Sequence, residues 1–178
     1  MEAAADYLDD PISAAWVPKN PSLSPGTRVF EVDFDAAVDG YGLRSAQPSG
    51  WRYFLLEGDS GVSAAIHVAA IEGTPRVTHV SHHDDVVRTV EAMTRVEDES
   101  GDEEIEVRIL SAQELYFEAL WAVGQTRAWL IPIEPATTKH ALVPSMSEDA
   151  MEAYLAGLAA KRLAAGAAPP PTLPDTPS

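Results

Sequence analysis

Proline decides where this chain can build regular structure. Of its 14 prolines, Pro11, Pro18, Pro21 and Pro25 fall near one end, and Pro169, Pro170, Pro171, Pro174 and Pro177 near the other. Each removes a backbone donor and fixes φ, so both ends resist helix and sheet. The spacing predicts three parts: an extended proline-rich arm over 1–26, a folded domain over 27–165 and a disordered proline-rich tail over 166–178. The arm carries Ile12, Trp16, Val17 and Leu23 between its prolines, apolar side chains that need a surface to cover them. With 46% of the chain hydrophobic, the middle part is the size of one domain with one core.

Inside that part the hydrophobic pattern switches period several times. Phe30, Val32 and Phe34 alternate with acidic residues, the signature of a half-buried strand over 29–34. Segments 51–56 and 62–71 flank the turn-forming Gly58-Asp59-Ser60-Gly61 and read as a hairpin, with 76–80 as the next strand of a meander. Ser81 and Asp84 have the spacing of a helix cap, followed by Val86, Val87, Val90 and Met93 on one helical face. Ile105, Val107 and Ile109 alternate as a strand. The Ser111–Glu114 spacing repeats the cap, so 115–123 reads as a buried helix ended by Gly124. Residues 129–133 form a further strand, and Ser145 or Ser147 opens a last helix with Lys161 and Arg162 at its C-terminal end, where cations complement the dipole. The sum is an α+β single domain: an antiparallel β-sheet of about five or six strands with two or three helices on one face.

Charge narrows the function classes. Acidic residues outnumber basic ones 28 to 12, giving a formal net charge of −16, and the densest run is Glu97-Asp98-Glu99-Ser100-Gly101-Asp102-Glu103-Glu104-Ile105-Glu106. Binding to phosphate backbones needs clustered Lys and Arg, which this chain lacks, so nucleic acid and anionic membranes are not expected as partners. The absence of cysteine removes disulfides, thiolate metal sites and a cysteine nucleophile. The start lacks the basic and apolar regions of a signal peptide, and no segment approaches a membrane span, so a cytoplasmic location is expected.

Four constellations carry some chemical signal. Gly58-Asp59-Ser60-Gly61 matches the nucleophile region of chymotrypsin-like serine proteases over four residues, but all five histidines follow Ser60, against that family's order, and turn chemistry explains the residues. His79, His82, His83, Asp84 and Asp85, joined by His67, have the ligand types of a metal site, although helix capping accounts for the same residues. The acidic run does not fit an EF-hand, because Gly101 falls fourth after Asp98 and Ile109 occupies the twelfth position. Asp33 and Asp35 flank Phe34 and are explained as the solvent face of a strand.

The resulting expectation is a non-catalytic acidic protein-binding module, an adaptor, chaperone-like protein or inhibitor, engaging a partner with a basic or apolar surface, or a second copy as a homodimer. No cofactor, metal or catalytic residue is expected. The candidate contact residues are Trp16, the acids Glu97, Asp98, Glu99, Asp102, Glu103 and Glu104, and the helical stripe Met151, Tyr154, Leu155 and Leu158. Two alternatives stand beside it: a small metal-dependent hydrolase using the His79–Asp85 cluster, and a structural or assembly component.

Overall fold

Ile109 and Leu110 are neighbours in a strand, so they point to opposite faces, and both are fully buried. A sheet buried on both sides is therefore the centre of this fold. The structure, a computed structural model, describes residues 21–57, 61–82, 84–134 and 144–166; the side chains of Pro21, Glu57, Ser63, His82, Asp84, Asp85 and Glu134 fall outside that description. Segment 1–20 with Trp16, the turn residues 58–60, His83, His140 and the tail 167–178 also lie outside the described residues.

The chain runs through β1 (Pro21–Leu23), β2 (Thr27–Glu31), α1 (Phe34–Val38), α2 (Gly42–Ser45), β3 (Gln47–Glu57), β4 (Val62–Ile71), β5 (Thr74–His82) and α3 (Asp84–Ser100). It continues through β6 (Glu106–Ala112), a 3-10 turn (Gln113–Leu115), β7 (Phe117–Val123), β8 (Ala128–Glu134), β9 (Met146–Ser147) and α4 (Glu148–Ala164). The nine strands form one sheet in the order β5-β4-β3-β2-β6-β7-β8-β9, with β1 added to β3 beside β2. The meander β3-β4-β5 is antiparallel as the turn chemistry implies. The sheet as a whole is mixed, because β2 pairs in parallel with β6.

The expectation of about five or six antiparallel strands with helices on one face is thus corrected in three respects: the described residues form nine strands, one parallel junction, and four helices divided between two faces. On one face α3 contributes Ala92 and Val96 to a core with Val29, Ile109, Leu120 and Ile131. On the other, α1, α2 and α4 close over Val32, Leu110, Ala119 and Leu130 with Ala37, Leu43, Met151 and Leu155. Glu152 of α4 ties this second layer together, since its Oε2 accepts a hydrogen bond from the Leu43 backbone N–H at 2.6 Å and caps α2 from a distant helix.

Local competition explains the remaining differences. Strand β2 ends at Glu31, and Asp33 caps α1 by accepting from the Ala36 N–H at 2.9 Å, so Phe34 is helical and Asp33 and Asp35 form no strand pair. Segment 117–123 is strand β7 rather than helix: its Phe, Trp and Val favour the pleat, and pairing with β6 and β8 on both sides outweighs the cap-like spacing of Ser111 and Glu114. Tyr116, at φ 50°, turns the chain left-handed into β7. Residues 81 and 82 stay in β5, and α3 starts at Asp84. The last helix begins as expected at Ser147, whose side chain accepts from the Ala150 N–H at 3.2 Å.

Strand β5 is a free edge of the sheet among the described residues, and it is blunted. Its pairing with β4 slips between His67 and Val68, leaving Thr78 as an extra residue, and Pro75 lies near its start. A bulge and a proline both discourage another strand from adding there.

The second layer gives a direct stability test. Replacing Leu155, fully buried in α4, by alanine is expected to cost about 2–5 kcal/mol, whereas Leu163→Ala on the exposed end of the same helix should stay within about 0.5 kcal/mol. Urea denaturation of the two variants checks the difference.

Candidate functional site

The polar cluster that most resembles chemistry lies on the α3 face of β3, β4 and β5. Cross-strand register places Arg52 beside His67 and His67 beside His79. Arg52, 5% exposed, holds Glu118 of β7 through both oxygens at 2.5 and 2.6 Å, although β2 and β6 separate their strands in the sheet order. Its Nη2 lies 3.3 Å from His67 Nδ1, and His67 Nε2 lies 3.3 Å from Ser81 Oγ. The His67 and His79 rings meet edge-on with centroids 5.5 Å apart.

Donor and acceptor bookkeeping fixes the state of His67. A guanidinium only donates, so Nδ1 must accept, and the neutral ring carries its proton on Nε2 and donates to Ser81. Burial first, then the positive charge of Arg52 and then His79, push the His67 pKa down from 6.5 to about 3. The ring is neutral at neutral pH. Its orientation is opposite to that of a serine nucleophile's base, because the nitrogen facing Ser81 already bears a proton. Nor is a lone pair open for a metal while Arg52 stays in place. Of the sequence-level metal cluster, the described side chains bring together His67 and His79; no group of three or more His, Cys, Asp and Glu with metal-site geometry occurs among the described residues.

The acidic run is divided by the fold. Glu97, Asp98 and Glu99 belong to the last turn of α3, where carboxylates oppose the helix dipole and no basic residue lies in the turn itself. Relief comes from outside: Arg95 pairs with Glu99 at 2.7 Å, and Arg127 Nη2 donates to the Glu99 carbonyl. Glu103 Oε1 accepts from the Thr126 N–H and hydroxyl, both at 3.1 Å, docking the loop on the β7–β8 turn. Those bonds, led by the Thr126 backbone N–H, hold the Glu103 carboxyl below its usual range. Glu97, Asp98, Asp102 and Glu104 are exposed. On α4, Met151 and Leu155 are fully buried in the domain's own core, Leu158 is half-buried against it, and Tyr154 meets Phe117 at 5.5 Å. The stripe therefore serves α4's own packing.

A different surface emerges on the opposite face of the sheet. One cross-strand row runs Trp51 (β3), Arg28 (β2), Arg108 (β6) and Trp121 (β7). Arg28 lies over Trp51 at 5.2 Å, and Arg108 lies 5.1 Å from both Phe30 and Trp121. Glu106 neutralises Arg108 at 2.7 Å, and Trp121 Nε1 donates to Glu148 at 3.1 Å, so the β6–β7 end of the row is tied into the α4 layer. The other end is open. Trp51 is 41% exposed and borders a cleft of about 360 Å³ lined by Arg28, Pro48, Ser49, Gly50, Val68, Ala69, Ala70 and Pro75. Gly50 shapes its floor, since a Cβ there would strike the Val68 carbonyl oxygen across the ladder. Alternation around Trp51-Arg52-Tyr53-Phe54 signals bulky groups on both faces, but the meeting of Arg28 and Trp51 depends on a register that sequence spacing does not supply.

Two predictions follow from these geometries. The folded state resists protonating His67, so its contribution to stability is fully present above about pH 6.5 and is lost as pH drops toward 3, with a slope of up to about 1 kcal/mol per pH unit after allowing for partial exposure. His67→Gln, whose amide can accept from Arg52 and donate to Ser81, should flatten that slope in denaturation curves compared with the parent chain. For the acidic run, Glu103→Ala should lower the melting temperature, while Glu104→Ala should leave it unchanged or raise it slightly. No family, curated protein or solved structure matches this chain.

Proposed function

We propose that this protein is a non-catalytic binding module of the cytoplasm that seats an apolar segment of a partner protein in the Trp51 cleft. The observation that carries the reading is the half of the sheet that no described element covers: α1, α2 and α4 close over Phe30 and Trp121, while Trp51 and Arg28 in the same row are exposed beside a mostly apolar cleft. An aromatic anchor at a concave apolar surface has the composition of a contact hot spot. The locked state of His67 supports a binding role over hydrolysis, because the polar cluster is committed to holding β3, β4, β5 and β7 together.

Exposed carboxylates at Glu97, Asp98, Asp102 and Glu104 would speed encounter with a partner that has a basic region near the seated segment, an effect on association rate that added salt weakens. No helix among the described residues is long and apolar enough to cross a membrane.

Selection from a displayed random-peptide library against the full chain tests the seat. Apolar peptides should be enriched, and Trp51→Ser should weaken them by at least about tenfold without altering the fold. Peptides that bind the parent chain and Trp51→Ser equally would overturn the assignment.

A further inference from the structure

We infer that Arg28 receives the C-terminal carboxylate of the partner segment, so that the segment ends inside the cleft; the inference rests on the cleft being a peptide seat. The cleft crosses four neighbouring strands, from Pro75 on β5 to Arg28 on β2. At the usual strand spacing that is about 14 Å, the length of about four extended residues. Arg28 is the last lining residue on its side, and β6, the next strand, contributes none. A chain entering from Pro75 therefore meets a cation where the lined surface stops.

The state of that cation points outward. In register Arg28 faces Arg108, a like-charge pair across the parallel junction that is unfavourable by itself. Glu106 pairs directly with Arg108 at 2.7 Å and interacts with Arg28 only at longer range, and no carboxylate among the described residues comes within ion-pair distance of Arg28. The Trp51 ring, 5.2 Å from the guanidinium carbon, holds the group at the cleft end. An exposed, positioned guanidinium with no carboxylate at ion-pair distance among the described residues, and only the longer-range pull of Glu106, matches a terminal carboxylate, which takes two parallel N–H···O bonds from it. The net charge of −16 does not reverse this preference, since exposed charges beyond roughly 8 Å are largely screened at physiological ionic strength.

The test uses the full chain and N-acetylated tetrapeptides of Ala, Val, Leu and Phe, prepared as free acids, as C-terminal amides, and as amides with an internal aspartate, titrated by calorimetry. The free acids should bind the parent chain at least about tenfold more tightly than the amides. Arg28→Gln should erase that advantage while leaving amide binding unchanged, and Trp51→Ser should weaken acids and amides alike. Equal binding of acids and amides overturns the carboxylate assignment, as does an internal-aspartate amide that matches the free acid; in both cases weakening by Trp51→Ser leaves the seat itself standing. If no peptide distinguishes the parent chain from Trp51→Ser, the seat and the carboxylate assignment fall together.

Discussion

Burial of β6, β7 and β8 on both faces is the constraint on which the other features depend. Ile109, Leu120 and Ile131 point one way, Leu110, Ala119 and Leu130 the other, and all six are fully buried. Such strands need a helical layer on each side, and the chain supplies them from different places: α3 on one face, and α1, α2 and α4 on the other. Among the described residues, the β3–β5 half has no equivalent closure around Trp51. The cleft is thus the place where the second layer stops, and its exposed aromatic follows from the layer's extent.

Charge is distributed according to the same geometry. With 12 basic residues against 28 acidic ones, the few cations that are buried or paired fix structure: Arg52 clamps Glu118, Arg108 pairs with Glu106, and Arg127 joins the end of α3 to the β7–β8 turn. The buried Arg52–Glu118 pair contributes more to specifying how β3 meets β7 than to net stability, because desolvation offsets much of the attraction between the two charges. His67 lies beside this clamp, and burial first, then the Arg52 charge, take it out of its ordinary titration range.

How far the fold is legible in the sequence depends on the range of the forces involved. Local signals succeed where nothing competes with them, as at the Ser147 cap of α4 and the alternation of Ile109 with its neighbours. They mislead at 115–123, where a cap-like spacing and a terminal glycine coincide with a segment that two neighbouring strands claim. The parallel contact of β2 with β6 joins residues about eighty positions apart, as Arg28 and Arg108 show, and period alone contains no information about it. The same holds for the cleft: Arg28 and Trp51 are individually unremarkable in sequence, and register makes them a pair. The acidic run is plain in the sequence, whereas its division into a docked Glu103 and exposed neighbours depends on where the fold places Thr126 and Arg127.

Glu152 carries a consequence for how the molecule is made. Its carboxylate caps α2 more than a hundred residues upstream, and the helix that bears it also supplies Met151 and Leu155 to the core over Leu110 and Leu130. During synthesis from the N-terminus, the sheet can pair and α3 can cover its own face while the opposite apolar face has only the short helices α1 and α2 over it. That face gains Met151, Leu155 and the Glu152 cap only when α4 has left the ribosome, so its core is the later of the two to be completed. Vectorial synthesis makes the last helix the element that completes the second layer.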